Sequence, residues 1–560
     1  MRRAKILGTL GPSSNTIEKI AELIDAGLNV ARVNMSHGTH EGHKELISNI
    51  REASKRTNKE IGIMIDLQGP KIRLDKVDKP LEPNEGEEWV IGQTKDKDKY
   101  PEYKDCYIPT IYDKLVDDCH DGARILFDDG LLQATAVERD RDVYKIKFTV
   151  GGILKSNKGI NLPDCEVSAP AFTEKDKEDL LFALGQDIDF VALSFVRKAE
   201  DILQVKTLLH KLKMNVPIVS KIEKPQAVDN LEEILKVTDI VMVARGDMGV
   251  EVGNHLVPAI QKHIIRLCNT RHVPVITATQ MLETMTENPT PTRAEASDVA
   301  NAIWDGTDIV MLSGETAAGK HPVKVVKMMS NIIEEAEKSP KDRPLLRHMD
   351  LSNVNASVMV AASMIAEKIK AKRILCVTES GNSCRKISMF RPLTPVLGIT
   401  NSIQTARKMC MYWGVYPFYI HEFDEDNFDF QIDVLNKVKN DGSFHNGDKV
   451  VITRGDGKFF SRGSSNSVKV EILNDLPGVP GSGEGMEKAS DDKKDIHLDT
   501  SVCASCNNCI SVCPHGIWTL TNDESKRTTI AKDKIGACTI DMECVEKCPT
   551  GAIEIISKFL

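Results

Sequence analysis

PIVSKIEKPQAVDNLEEILKVTDIVMVAR (217–245) opens and closes on apolar, β-rich runs, PIVSKIE (217–223) and DIVMVAR (239–245), each of which ends in charged residues. Continuous apolar runs belong to strands buried on both faces, the condition of a parallel sheet covered by helices. The same theme recurs outward in both directions, as KILGTL (5–10), NVARVNM (29–35), IGIMIDL (61–67), DFVALSF (189–195), PVITATQ (274–280) and DIVMLSG (308–314). Helical patterns such as TIEKIAELIDAG (16–27) and AEDILQVKTLLHKL (199–212) separate most of these runs. Eight strands in this alternation predict an α/β chain built on a (β/α)8 TIM barrel.

One interval breaks the rhythm. The third run ends at 67 and the fourth begins at 189, and between them lie alternating, turn-rich stretches: EEWVIGQT (87–94), ARILFDDGLLQATAVE (123–138) and DVYKIKFTVGG (142–152). These read as a small β-barrel lid domain inserted at 70–167, which leaves 1–69 and 168–340 to the barrel. A second α/β pattern occupies 341–475, with NASVMVAASMIAEKI (355–369) and SIQTARKMCMYWGV (402–415) helical and RILCVT (373–378), KVVITRGD (449–456) and SVKVEIL (467–473) as strands. NDLPGVPGSGEGMEKASDDKK (474–494) is rich in Gly, Pro and charge, and 476–495 is read as a flexible linker. A cysteine-rich module follows at 496–560.

A chain of 560 residues exceeds what one core organises, so several domains are expected. Its 41% hydrophobic and 28% charged content is that of a globular protein. A net charge of −9 offers no electrostatic attraction to nucleic acid or to an anionic membrane. No apolar run approaches the roughly 20 residues that span a bilayer, and the apolar stretch in MRRAKILGTLGPSS is too short for a signal peptide. A cytoplasmic protein is expected.

Seven of the 14 cysteines lie between 503 and 548. Cys503, Cys506, Cys509 and Cys513-Pro514 follow C-x2-C-x2-C-x3-C-P, and Cys538, Asp541, Cys544 and Cys548-Pro549 repeat that spacing with Asp at the second position. Disulfides suit a secreted mini-domain, and zinc suits two CxxC pairs. Three cysteines at this spacing and a fourth before proline suit an iron–sulfur cubane better. Two clusters are expected, the second abnormal. The other seven cysteines are scattered and read as small buried hydrophobes.

In a barrel of this type the reactive residues stand at the C-terminal ends of the strands. Those positions hold Arg32 and Asn34, Asp66, Ser194, Lys221 and Glu223, Arg245 and Asp247, Thr279, and Ser313. Lys and Arg interleaved with Glu and Asp suit an anionic substrate held through a divalent metal. A lone Lys-x-Glu is often no more than a solvated pair; so many such residues at one barrel end argue against that for the set.

Residues 1–475 resemble pyruvate kinase. The resemblance rests on ILGTLGPSS (6–14), NVARVNMSHGTHE (29–41), LQGPKIR (67–73), SKIEKPQAVDN (220–230), MVARGDMGVE (242–251), TATQMLETM (277–285), PTRAEASDVANA (291–302) and MLSGETAAGKHP (311–322), all in the family's order. It implies phosphoryl transfer from phosphoenolpyruvate to ADP, giving pyruvate and ATP, a reaction governed by positioning and charge. It further implies that Lys221 is the catalytic lysine and that Glu223 and Asp247 hold Mg²⁺ or Mn²⁺. By the same resemblance Arg32 binds phosphate, Ser194 and the backbone at Gly246 and Asp247 contact the substrate, and Thr279 with Ser313 delivers a proton to the enolate carbon. Arg73, Lys158, His37 and Asn34 fall on the nucleotide side, so the lid that carries Lys158 is expected to close over the site.

One departure stands out. Family members that need K⁺ hold it on residues matching Asn34, Ser36, Asp66 and the carbonyl of Leu67, and usually carry Glu where Lys71 stands here. A built-in ammonium in place of that Glu leads to the expectation that K⁺ is not required.

The 341–475 region resembles the family's regulatory domain. Its loop TESGNS, through Thr378, Ser380, Gly381, Asn382 and Ser383, offers amides and hydroxyls to a phosphate. Glu379 disfavours a bisphosphate, so a sugar monophosphate or AMP is the expected effector, with Arg391 and RGDGKFFSRG (454–463) completing the pocket. A homotetramer follows from the resemblance alone.

Residues 496–560 resemble a bacterial two-cluster ferredoxin, in which the fourth cysteine of each run ligates the other cluster. This implies cluster one on Cys503, Cys506, Cys509 and Cys548, a 4Fe–4S cubane. Cluster two falls on Cys513, Cys538, Asp541 and Cys544. Carboxylate is a harder ligand than thiolate, so cluster two is expected as a 4Fe–4S with a labile iron or as 3Fe–4S. A redox sensor, an electron-transfer module serving a redox partner, and a structural staple all remain open for this module. The alternative for the whole chain is an electron carrier on a kinase-like scaffold.

Overall fold

The computed structural model describes residues 2–339, 354–421, 423–424, 429–430, 434–435, 438, 444, 447–455, 460, 465–473, 486–500, 503, 508–521, 528–539, 543–546, 548 and 552–558. Among the described residues no helix is long and apolar enough to cross a membrane.

The eight apolar runs form a closed parallel barrel. Its strands are β1 (Lys5–Thr9), β2 (Val30–Asn34), β3 (Gly62–Asp66), β10 (Phe190–Val196), β11 (Ile218–Ile222), β12 (Ile240–Ala244), β13 (Val275–Ala278) and β14 (Ile309–Leu312), ordered β1-β14-β13-β12-β11-β10-β3-β2 around the ring. Alternate strand residues point inward, where Leu7, Met64, Val219, Met242 and Ile276 belong to one buried cluster. The other residues face the helices in a larger core with Ile6, Ile65, Val191, Val241 and Leu312. Burial on both sides explains why these strands are apolar without alternation.

Helices pack on the outside with well-defined starts. Thr292 caps Arg293–Asp305 in a reciprocal capping box with Glu295, and Thr173 does the same with Asp176 for Glu174–Leu184. Such caps satisfy orphan amides and fix where each helix starts. Strand pairing then sets the site's register: Arg32 lies opposite Met64, Asn34 opposite Asp66, and Lys221 opposite Met242.

Between β3 and β10 the chain makes a six-stranded sheet of β4 (Glu88–Gln93), β5 (Tyr107–Thr110), β6 (Arg124–Phe127), β7 (Leu132–Asp140), β8 (Val143–Val150) and β9 (Ile160–Asn161), ordered β5-β4-β8-β7-β6-β9. It has its own core, in which Phe148 stacks with Phe127 at 5.7 Å and meets the edge of Trp89 at 6.1 Å.

The chain divides into two compact units, and the second holds most of the residues after 350. Within it, strands Val396–Thr400, Arg373–Val377 and Lys449–Gly455 run parallel, and Ser465–Ile472 pairs antiparallel with Lys449–Gly455. Further on, Met486–Ser490, Lys494–Asp499 and Ile553–Ser557 make an antiparallel sheet, so the part of 476–495 from 486 onward, expected as flexible linker, is paired strand and turn, and Trp518–Leu520 pairs with Thr528–Ile530.

Candidate active site

The C-terminal ends of β2, β3, β10 and β11 bring five of the expected residues into one network. Arg32 Nε donates to Asp66 Oδ2 at 2.7 Å, and its Nη1 donates to Thr9 Oγ1 at 2.9 Å. Lys221 Nζ lies 3.0 Å from Glu223 Oε1 and 3.5 Å from Asp66 Oδ1, and donates to Ser194 Oγ at 2.8 Å. Ser194 Oγ in turn donates to the Leu67 carbonyl at 2.8 Å. The Phe195 amide donates to Glu223 Oε2 at 2.7 Å. Two cations and two carboxylates thus alternate at one barrel mouth.

Burial sets the electrostatics of this cluster. Burial disfavours the Lys221 charge, but Asp66, Glu223 and Asp247 outweigh it and hold the ammonium above its ordinary value. Glu223 is fully buried, and burial pushes its carboxyl up to about 7 against the pull of Lys221, with the Asp247 charge adding to the rise. Asp66 is held low: burial works against its charge, and Lys221 and Arg32 overcome it. Glu223 is therefore a carboxylate short of positive charge. A divalent cation is the group that would satisfy it, with Asp247 as the second carboxylate whose charge it feels.

Strand β12 runs directly into the helix Arg245–Val252, which places Gly246 and Asp247 at its first turn. The Gly246 amide is taken by Thr279 Oγ1 at 2.9 Å, and the Thr279 hydroxyl donates to the Ala278 carbonyl at 2.7 Å. Thr279 sits in the left-handed region at φ 67°, a strained position that re-aims its hydroxyl toward β12. Arg245 braces this turn, donating to the Ala278 carbonyl at 3.1 Å and pairing with Asp298 at 2.7 Å. The Ser313 amide is held by Glu315 Oε2 at 2.6 Å.

An open cleft lies beside this network, lined among others by Lys71, Asp129, Asn161, Arg197, Lys224 and Asp247. Lys71 is exposed there, its Cε 3.5 Å from where a Cβ on Gly159 would stand. Of the residues expected to hold K⁺, three have partners within the protein. Asp66 has Arg32 and Lys221, the Leu67 carbonyl has Ser194, and Asn34 Oδ1 accepts from the Ser36 amide at 3.1 Å. On the nucleotide side, Arg73 Nη1 donates to the Asn157 carbonyl at 3.1 Å and Lys158 pairs with Asp128 at 2.8 Å, both within the inserted domain. His37 is exposed after β2.

Sequence reasoning missed several positioning residues. Thr9 orients Arg32, and the rule that found the other strand ends applies to it as well, since it closes β1. Glu251 is fully buried, accepts from Lys224 at 2.6 Å and from Asn161 of β9 at 2.8 Å, and so ties the inserted domain to the barrel. Asp176 accepts the Gly69 amide at 3.0 Å; there φ is 71° and any Cβ would meet Phe195 at 2.9 Å, so only glycine fits.

In the second unit the Gly381 amide donates to Thr378 Oγ1 at 2.9 Å and Ser383 shares a hydrogen bond with Ser465 at 2.9 Å, while Ser380 and Asn382 are exposed. Arg391, assigned above to the effector pocket, is bound to Asp308 at 2.9 Å and to the Gly306 carbonyl at 2.6 Å. Of the loop 454–463 only 454, 455 and 460 are among the described residues.

Cys503, Cys509, Cys513, Cys538, Cys544 and Cys548 all belong to one hydrophobic cluster with Ile496, Leu498, Trp518 and Ile553; Cys506 and Asp541 lie outside the described residues. Trp518 Nε1 is buried there without a hydrogen-bond partner among the described residues. Thiols gathered in an apolar core beside an unused donor fit iron–sulfur clusters, whose sulfides accept hydrogen bonds.

Comparison with known proteins shows the family. Residues 1–326 match the family model described as pyruvate kinase, barrel domain, residues 356–471 match pyruvate kinase, alpha/beta domain, and residues 502–553 match 4Fe-4S dicluster domain. The chain is 42% identical over 481 residues to a pyruvate kinase of Staphylococcus epidermidis, covering 85% of this chain and 81% of the relative. It is 41% identical over 499 residues to a pyruvate kinase of Geobacillus stearothermophilus, covering 87% and 83%. A pyruvate kinase of Sporosarcina psychrophila matches at 41% over 496 residues, again 87% and 83%.

Proposed function

The chain is an enzyme of the pyruvate kinase family, and from that premise we propose how its own residues move a phosphoryl group from phosphoenolpyruvate to ADP. The observation that carries the proposal is Lys221, whose ammonium stands between Glu223 and Asp66 at the mouth of the barrel. As the phosphoryl group departs, negative charge grows on the enolate oxygen, and a fixed ammonium in a dry site stabilises that charge without reorganising. Arg32, anchored by Asp66 and Thr9, presents its guanidinium to phosphate. Glu223 and Asp247 would hold Mg²⁺ or Mn²⁺, which neutralises charge on the phosphoryl oxygens.

Ser194 orients Lys221 by accepting from it while donating to Leu67. The first turn of Arg245–Val252 offers its backbone to the substrate carboxylate at Asp247, and at Gly246 once the carboxylate displaces Thr279 Oγ1 from that amide. Thr279, turned toward Gly246, and Ser313 from the end of β14 form the path by which a proton reaches the enolate carbon. Arg73 and Lys158 bind ADP phosphates from the inserted domain at 70–167, with His37 and Asn34 beside them; closing that domain onto the barrel excludes water. Lys71 supplies the monovalent charge, so K⁺ is not required. Sugar monophosphate or AMP binds at Thr378, Ser380, Gly381, Asn382 and Ser383, and the enzyme works as a homotetramer.

The iron–sulfur module carries clusters on the two cysteine runs. Cluster one uses Cys503, Cys506, Cys509 and Cys548, and cluster two uses Cys513, Cys538, Cys544 and Asp541. Six of these cysteines sit in the module's own hydrophobic core. That placement favours a structural role, with redox sensitivity as its consequence, because a module this small depends on such staples.

The test is the initial rate of pyruvate formation from phosphoenolpyruvate, ADP and Mg²⁺, with protein purified without oxygen and its clusters either oxidised or reduced by dithionite. Brisk rates establish the kinase. Equal rates in the two states support the structural role, and a several-fold difference supports redox control. No rate in either state overturns the proposal in favour of an electron carrier.

A further inference from the structure

The chain enters the inserted domain after β3 and leaves it through β9, and Glu251 of the barrel grips the departing strand. Glu251 Oε1 accepts from Asn161 Nδ2 of β9 at 2.8 Å and from Lys224 Nζ at 2.6 Å. Its Oε2 is buried with no hydrogen-bond partner among the described residues, so the hold runs through one oxygen. The Glu251 side chain is fully buried and that of Lys224 is 12% exposed. Taking both charges out of water is costly, and only a fixed mutual geometry offsets it.

Both barrel residues of this grip stand one step from a carboxylate assigned above to the metal. Lys224 follows Glu223 in sequence, and Glu251 lies one helical turn after Asp247 on Arg245–Val252, at the i, i+4 spacing that shares a face. Phe195 ties the same place together from β10. Its amide donates to Glu223 Oε2 at 2.7 Å, and Lys224 Nζ lies 5.9 Å from its ring centroid. Phe195 is held in the left-handed region at φ 53°, and its ring closes on Gly69, where a Cβ would meet Cδ2 at 2.9 Å. The entering crossing at Gly69 and the departing one at Asn161 are thus both gripped beside Glu223.

On the side of the inserted domain, Asn161 follows Lys158 by three residues. Strand β9 pairs with β6, with Asn161 opposite Leu126 and Ile160 opposite Phe127, and the Asp128 amide donates to the Gly159 carbonyl at 3.0 Å. Asp128 in turn pairs with Lys158 at 2.8 Å. A shift of β9 against Glu251 therefore carries Lys158 with it.

We propose that Asn161, Glu251 and Lys224 form a latch that keeps β9 in register with the metal carboxylates, which makes Glu251 a positioning residue for the nucleotide. The inference rests on the kinase reading, in which Lys158 meets the ADP phosphates while Glu223 and Asp247 hold the cation. Phosphoenolpyruvate, held at Arg32 and Lys221, does not depend on where β9 lies. Loosening the latch therefore weakens ADP binding and spares phosphoenolpyruvate binding.

The test uses the full-length protein with its clusters assembled, prepared without oxygen. Asn161→Ala cuts the latch on the side of the inserted domain, and Glu251→Leu removes its centre. Initial rates are measured with ADP and phosphoenolpyruvate varied separately, and amide hydrogen exchange over 158–170 is followed by mass spectrometry without substrates. Both variants are expected to raise KM for ADP about fivefold or more, the loss of a hydrogen bond to a charged group, with KM for phosphoenolpyruvate within about twofold of the parent. Exchange over 158–170 is expected to speed up in both. An unchanged KM for ADP in Asn161→Ala overturns the proposal, as does an equal rise in both KM values, which marks a general loosening of the fold. Asn161 is only half-buried, so Asn161→Ala decides the case if Glu251→Leu does not fold. A parent protein that forms no pyruvate defeats the kinase reading instead; the exchange arm still judges the latch, and exchange unchanged by Asn161→Ala overturns it.

Discussion

Lys221 Nζ and Glu223 Oε1 stand 3.0 Å apart on the last residues of β11 and just beyond it, both out of bulk water. Residues i and i+2 of a strand share a face, so the spacing Lys-x-Glu alone puts ammonium and carboxylate side by side. Asp66, 3.5 Å from the same nitrogen, arrives from β3. The ammonium therefore already answers two carboxylates before any substrate enters.

Replacing Lys221 by Met is expected to lower kcat by about 10²–10³ or more, as when a fixed transition-state charge is lost. Phosphoenolpyruvate binding should weaken far less, since Arg32 keeps its bonds to Asp66 and Thr9. Folding should survive, because Glu223 escapes an unpaired buried charge by taking up a proton. Steady-state rates with a thermal melt of the variant check both halves. A variant with unchanged kcat removes Lys221 from the chemistry.

Burial raises the Glu223 carboxyl to about 7, and a metal binds only its ionised form. Protons and metal therefore compete below that value. The apparent affinity for Mg²⁺ should increase as pH rises through about 7 and level off above it. Titrating Mg²⁺ at several pH values checks this, and Glu223→Gln should both weaken the metal and flatten the dependence. Saturating Mg²⁺ should shift the acid limb of activity downward.

Lys71 predicts the monovalent-ion requirement. With Asp66, Leu67 and Asn34 already engaged inside the protein, the residues that would take K⁺ have internal partners. Rates in K⁺-free buffer should equal those with K⁺. Lys71→Glu should then create a dependence of about tenfold or more, by removing one positive charge and adding a negative one. A K⁺-dependent parent enzyme would contradict this reading.

The barrel was legible because eight buried strands must be apolar throughout, and because their polar ends cannot hide: Arg32, Asp66, Lys221 and Glu223 each interrupt or end such a run. What brings them together needed no long-range knowledge beyond the barrel itself. The partners that position them had no local signal. Glu251 meets Asn161 across 90 residues, and Gly69 meets Asp176 across 107, so periodicity could not relate them. Arg391 misled for the same reason, since its partner Asp308 lies at the start of a strand far back in the chain.

Asp541 supplies the last prediction. It stands where the second run of cysteines would carry its second thiolate, and on the proposed ligand set one iron of cluster two would have a hard oxygen ligand in a set of soft sulfurs. That iron should leave on mild oxidation, converting the cluster to a three-iron form that electron paramagnetic resonance detects, while cluster one stays intact. Asp541→Cys should restore a fourth thiolate and give two stable cubanes with no three-iron signal after the same treatment. Because Cys513, Cys538 and Cys544 share the module's core, the substitution should also raise the temperature at which the module's cluster absorbance is lost. An unchanged spectrum would mean that Asp541 is not a ligand and that the labile corner, if there is one, lies elsewhere.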